Sequence, residues 1–249
     1  MSVEQREAAG QTEEQQDRRR DRWFHFLYAV IWPFFNLFRP VRAIGRENIP
    51  EGAAVLCPNH TTIGDPFYVV FAFGRKYPMR AMAKIQVMQV PVIGWLLGKA
   101  GVFGVDRGHA DMKAVKTALK FLKNGNKLLM FPEGTRVHEG EDVAAKTGAA
   151  MFATRTGVPL VPIYVPAKKR LFRPNLVVIG EPFYPTFQGR KPTAGELDEI
   201  TEERTLSLEE CRENIQMYIK NEMAQNAYGD TIQQWKRQAV IVEYKDRLY

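Results

Sequence analysis

Several things are scarce in this sequence. Its 249 residues include only two cysteines, Cys57 and Cys211, too few for a disulfide scaffold or a Cys-rich zinc module. The four histidines, His25, His60, His109 and His138, are scattered and form no tight metal-ligand cluster. No apolar run reaches the roughly 20 residues of a spanning helix, which argues against a multi-span membrane protein. G-x-S-x-G is absent, so no serine nucleophile elbow is encoded. No A-x-A cleavage site, convincing twin-arginine pattern or internal repeat is present. No RNP, KH or helix-turn-helix signature is evident.

What remains is an ordinary globular composition, 45% hydrophobic and 25% charged, long enough for one large α/β domain or two small ones. The net charge of +7 is uneven: residues 23–180 hold 21 basic and 9 acidic side chains, net +12, while 181–249 are net −4. The middle of the chain therefore calls for an anionic partner; nucleic acid, an anionic lipid surface and a phosphorylated substrate all fit that charge.

Residues 1–22 are polar and read as a disordered tail that ends in the basic run Arg18, Arg19, Arg20, Arg22. Composition then changes sharply. WFHFLYAVIWPFFNLF (23–38) has no Asp, Glu, Lys or Arg, and eight of its sixteen residues are Trp, Phe or Tyr. It is short, and Pro33 interrupts it. Aromatic rings favour the membrane interface, and basic flanks, here continued by Arg39 and Arg42, favour anionic headgroups. Residues 23–42 thus read as a monotopic anchor lying in one leaflet; the alternative is a core helix under the domain.

Short apolar runs then alternate with amphipathic stretches. Buried strands are predicted at 53–60, 79–84, 101–107, 127–134, 159–165 and 175–183, and helices at 66–75, 111–125 and 144–156. Asp65 is the expected N-cap of the first helix, with Pro66 at its first position. In the helix at 111–125, Met112, Val115, Leu119 and Leu122 share the expected apolar face, and Gly125 caps its end. Residues 86–98 read as a broken helix or a surface segment around Pro91 and Gly94. The fold class is α/β, a mixed and mostly parallel sheet flanked by helices, with an N-terminal membrane-associating helical segment. Residues 43–185 form the α/β domain. Residues 186–249 are a polar linker (186–206) and a C-terminal helical segment packed on the domain.

The unusual residues cluster in loops after the apolar runs: NHTTIGDP (59–66), GVDRG (104–108) and FPEGTR (131–136). In open α/β sheets such loops converge on a cleft beyond the carboxyl ends of the strands. A turn at Gly64 would fold Asp65 back toward His60, fix the imidazole tautomer and leave the other ring nitrogen as a base. Spacing alone favours a helix cap beside an incidental histidine. Cys57 lies in an apolar strand and reads as a core thiol, so the nucleophile would belong to the substrate.

NHTTIGDP resembles the H-x4-D motif of the glycerolipid acyltransferases, GVFGVDRG their second block, FPEGTR their third and VPLVPIYV their fourth, in order and over about residues 40–185. Within that family the chain is most similar to the PlsC-type 1-acyl-sn-glycerol-3-phosphate acyltransferases. The resemblance implies transfer of an acyl group from acyl-CoA or acyl-acyl carrier protein to the 2-hydroxyl of lysophosphatidic acid, giving phosphatidic acid. Neither cofactor nor metal is implied. It also implies an N-terminal two-helix membrane motif, with the protein on an anionic membrane surface at the cytoplasmic face and no nucleic-acid partner.

In that scheme His60 is the general base and Asp65 orients it. Arg107 and Arg136 hold the acceptor phosphate, supported by Gly134, Thr135 and Lys84. Glu133 binds a glycerol hydroxyl or braces an arginine, and Lys146 is either functional or merely solvated. The apolar stretch 87–97 is a candidate wall for the acyl chain or plain core. Two other readings stay open: a different lysophospholipid or lyso-aminolipid acceptor, and a non-enzymatic basic module using the Lys face at 113–123.

Overall fold

The computed structural model describes residues 3–106, 111–136, 145–189, 191–205, 207–213 and 216–217, with side chains from residue 11 onward. Among these residues seven strands form one sheet: β1 (Val41–Ile44), β2 (Ala54–Pro58), β3 (Met79–Lys84), β4 (Phe103–Val105), β5 (Lys127–Leu129), β6 (Leu160–Tyr164) and β7 (Asn175–Ile179). Their order is β1-β7-β6-β2-β5-β3-β4. Every pairing is parallel except β6 with β7, which is antiparallel. The mixed, mostly parallel α/β class read from the sequence is therefore the fold.

A parallel strand covered by helices on both faces is apolar throughout. In β2 all five residues, AVLCP, are buried. Successive side chains alternate between faces. Ala54 and Leu56 join a core with Phe24, Tyr68, Val69 and Phe73. Val55 and Cys57 join another with Ala118, Leu122, Ala149 and Phe152. The first core lies under α1 (Val3–Phe38) and α2 (Asp65–Phe73), the second under α5 (Met112–Lys123) and α6 (Gly148–Thr156). Between these pairs, α3 (Ile85–Met88) and α4 (Ile93–Lys99) make the broken helix expected around Pro91.

Several local expectations are corrected. The segment read as a disordered tail is helical from Val3 and continues without a break into the aromatic stretch, past Pro33. Glu, Gln, Arg and Ala are good helix formers. This polar half is also tied to the domain: Asp21 and Asp17 meet the fully buried Arg80 at 2.8 and 3.7 Å, and Glu13 meets Lys120 at 2.6 Å. Where the resemblance implies two helices, the described chain has one of 36 residues. Among the described residues no helix is long and apolar enough to cross a membrane.

In α5 the buried face is Ala114, Ala118, Phe121 and Leu122, and Met112 is exposed. Of the expected apolar face, Leu122 is buried and Val115 and Leu119 pack half-buried against the second core. Asp111 caps it, accepting from the Ala114 N–H at 2.9 Å. The apolar stretch 87–97 is mostly outside: Val87, Val90, Val92, Ile93 and Trp95 are exposed. Leu97 instead lines a cavity of about 90 Å³ between α1, α2 and β3. Residues 194–205, read as linker, are helical; Ile200 packs into the second core. Leu208 and Cys211 are buried beyond it, and most of 214–249 lies outside the described residues.

Candidate active site

β2, β3, β4, β5 and β6 run in one direction, so the loops leaving their carboxyl ends share one edge of the sheet. The loop after β2 carries His60, and the loop after β5 carries Glu133 to Arg136. Asn59 fixes where the first loop starts. Its amide donates to the Val165 carbonyl at 2.9 Å and accepts from the Val165 N–H at 2.7 Å, clamping the ends of β2 and β6 together.

His60 Nδ1 lies 3.2 Å from Asp65 Oδ2. The carboxylate can only accept, so Nδ1 carries the proton and Nε2 offers its lone pair. The ring stacks on Phe131 at 4.0 Å between centroids, which brings the first and third blocks together. Asp65 is fully buried but is not the helix cap; Gly64 holds that position without a side-chain bond. The Asp65 side chain turns backward instead. Oδ2 accepts from the Thr61 and Thr62 N–H groups at 2.6 and 2.7 Å, and Oδ1 accepts from Thr62 Oγ1 at 2.7 Å. Lys169, from the loop between β6 and β7, donates to Oδ1 at 2.8 Å.

Burial alone would raise the Asp65 carboxyl, but the bonds from His60, Lys169 and Thr62 outweigh it and hold it well below the usual carboxylate range. Burial draws the Lys169 ammonium down, and Asp65 partly offsets that. Because the folded value of Asp65 lies below its unfolded value near 3.9, its ionisation adds stability that is complete above about pH 4. That contribution is lost as pH falls through the folded value. Thermal melts of an Asp65→Asn variant should therefore be flatter than wild type below about pH 4. An unchanged acid slope would remove Asp65 from that role.

The other site residues are placed as follows. Glu133 is buried, with Oε1 3.5 Å from Arg204 Nη2, and its Oε2 is buried without a hydrogen-bond partner among the described residues. Gly134 has φ +68°, the left-handed region that a glycine tolerates. A Cβ there would also lie 3.4 Å from the Lys146 side chain, so Lys146 covers this turn. Thr135 and Arg136 are exposed. Lys84 is exposed at the carboxyl end of β3, paired in register with Val105 of β4 just before the second block. Arg107 lies outside the described residues. Cys57 is buried in β2, and burial pushes its thiol up to about 12, so it is no nucleophile. No group of three or more His, Cys, Asp or Glu side chains among the described residues is placed to hold a metal ion.

Two residues were not foreseen. Lys169 sits among Lys168 and Arg170, where nothing distinguishes it from a solvated cation. Arg204 is only 2% exposed. Its guanidinium donates to the Cys57 and Pro58 carbonyls at 3.0 and 3.4 Å and faces Glu133. It lies in the stretch read as a polar linker.

The sequence profile of the acyltransferase family matches residues 40–166. The chain is 31% identical over 200 residues to the 1-acyl-sn-glycerol-3-phosphate acyltransferase of Bacillus subtilis, covering 77% of this chain and 98% of that one. It is 32% identical over 153 residues to the chloroplastic 1-acyl-sn-glycerol-3-phosphate acyltransferase BAT2 of Brassica napus, covering 59% of this chain and 43% of that one. The chain thus spans less than half the length of that plant relative and of its Arabidopsis thaliana counterpart. The crystal structure of the 1-acyl-sn-glycerophosphate acyltransferase PlsC from Thermotoga maritima superimposes with a TM-score of 0.54, at 24% identity, over 86% of this chain and 83% of that one. At that identity the likeness speaks for the fold.

Proposed function

This chain belongs to the acyltransferase family, and from that premise we propose that it transfers a fatty acyl group from acyl-CoA or acyl-acyl carrier protein to the 2-hydroxyl of lysophosphatidic acid, forming phosphatidic acid. The observation that carries this reading is the His60–Asp65 pair, 3.2 Å apart, with Nε2 left as a base.

The chemistry follows from that tautomer. Nε2 takes the proton of the glycerol hydroxyl as its oxygen attacks the thioester carbonyl. Asp65 holds the ring and stabilises the imidazolium. The tetrahedral intermediate collapses by breaking the C–S bond, and the departing thiolate takes the proton from His60. A thioester is already activated, so no acyl-enzyme is needed.

Arg107 and Arg136 grip the acceptor phosphate, where a guanidinium fork suits phosphate oxygens; Lys84, Gly134 and Thr135 support them. Glu133 pairs with Arg204 rather than with a glycerol hydroxyl, since lysophosphatidic acid carries one free hydroxyl, the one His60 deprotonates. Lys146, over Gly134, adds positive charge at the same turn. The exposed aromatic residues of α1, among them Trp32, Phe34 and Phe38, support a monotopic attachment to an anionic membrane at the cytoplasmic face.

Chromatographic analysis of an acyl thioester incubated with lysophosphatidic acid and the protein tests the reading. Phosphatidic acid is the expected product, and Arg136→Ala should raise the acceptor KM more than it lowers kcat. Turnover on a phosphate-free acceptor alone would reassign the acceptor, and transfer to no acceptor in a lysophospholipid and lyso-aminolipid panel would overturn the reading.

A further inference from the structure

The loop between β6 and β7 displays two large apolar side chains to solvent: Leu171 is 55% and Phe172 67% exposed. Around them the sequence is AKKRLFRP (167–174). Lys168, Arg170 and Arg173 are all exposed, and no acidic residue lies between 166 and 174.

This loop is held in shape from within. The buried Asn175 accepts from the Arg170 N–H at 2.7 Å, and its amide donates to the carbonyls of Arg170, Arg173 and Pro40 at 3.0, 3.2 and 3.3 Å. Phe172 N–H donates to the Phe38 carbonyl at 2.7 Å, at the end of α1. Phe172 itself sits at φ +55°, a left-handed conformation that bulky residues adopt only when their surroundings impose it. The backbone is thus constrained into a form that turns the ring outward.

We propose that this loop is a second membrane-contacting element, docking on an anionic lipid surface with Leu171 and Phe172 in the acyl region and Lys168, Arg170 and Arg173 among the headgroups. Two observations select lipid as the occupant. The charge around the apolar pair is of one sign, the sign that anionic headgroups attract. The pair is also continuous with the exposed apolar stripe of α1: the Phe38 and Phe172 rings are 5.7 Å apart, and Phe34 and Leu37 extend the patch along the helix.

The inference rests on the membrane attachment proposed above and deepens it. The same loop reaches inward: Lys169, between the outward Lys168 and Arg170, meets Asp65 at 2.8 Å. The lipid-contacting side chains therefore lie within a few residues of the lysine whose ion pair holds Asp65.

Single cysteines in the full chain carrying an environment-sensitive fluorophore test this. Cys57 and Cys211 are buried, so labelling reports the introduced thiol. The sites are Leu171→Cys in the loop, Phe34→Cys in α1 and Met112→Cys, exposed on α5 as a remote reference. With phosphatidylglycerol–phosphatidylcholine vesicles, the labels at 171 and 34 should shift to the blue and brighten severalfold, while the label at 112 stays unchanged. Replacing Lys168, Arg170 and Arg173 together by Gln should weaken binding to these vesicles by about ten- to a hundredfold. A response at 34 without one at 171 overturns the loop proposal and leaves the membrane reading standing. No response at either position overturns both. A lipid-independent response at 171 that grows with protein concentration identifies a second copy as the occupant and overturns the proposal. Acyl transfer to a short-chain, water-soluble lysophosphatidic acid is measured in parallel. Its absence in wild type would count against the enzymatic reading rather than against the loop.

Discussion

His60→Ala should lower kcat/KM for acyl transfer by about 10²–10⁴-fold, the range expected when a positioned general base is lost. The fold should survive. Asp65 keeps its bonds from Thr61, Thr62 and Lys169, so no buried carboxylate is left bare. The main structural loss is the stack on Phe131, worth about 1 kcal/mol. A melting curve beside the kinetic assay separates the two effects. A folded variant whose rate lies within a factor of three of wild type would exclude His60 as the base.

Arg204→Met should be among the most destabilising single changes in the chain. Arg204 lies 3.5 Å from the buried Glu133 and donates to the Cys57 and Pro58 carbonyls at the end of β2. Removing one member of a buried ion pair strands the other charge, at a cost of about 3–5 kcal/mol. For a protein of this size that corresponds to a fall in Tm of about 10 °C. Methionine fills much of the volume, so the loss comes from charge and hydrogen bonding rather than from a cavity. Adding Glu133→Gln removes the stranded charge and should return part of the stability. Thermal denaturation of the four proteins of this double-mutant cycle measures the coupling. A double variant no more stable than Arg204→Met would dissolve the pair.

The strands were legible because parallel strands covered on both faces need continuous apolar runs, and AAVLC, KLLM and PLVPIYV are such runs. His60, Asp65 and Glu133 to Arg136 stood out as polar residues directly after those runs, and order along the chain tied them together. Spacing could not reveal the direction of the Asp65 side chain. A carboxylate before Pro66 reads as a cap, whereas the backbone N–H groups of Thr61 and Thr62 capture it from the other side.

Arg204 and Lys169 were illegible for a different reason. Their partners lie far away in the chain, and a buried arginine is written with the same letter as a solvated one. The polar half of α1 was read as disordered because its stabilising contacts, Asp21 with Arg80 and Glu13 with Lys120, are tertiary and leave no local trace in composition. Residues 107–110, with Arg107, lie outside the described structure, so the second block is known from its sequence and from the position of β4.

The donors gathered on Asp65 have one more implication. Its two oxygens receive His60, two backbone N–H groups, a threonine hydroxyl and an ammonium, five donors for about four lone-pair sites, so none is left over. A proton arriving there would displace a bond already made. At neutral pH the aspartate is thus an anion rather than a relay station, and the proposed reaction shuttles one hydrogen nucleus, on and off the far side of the imidazole.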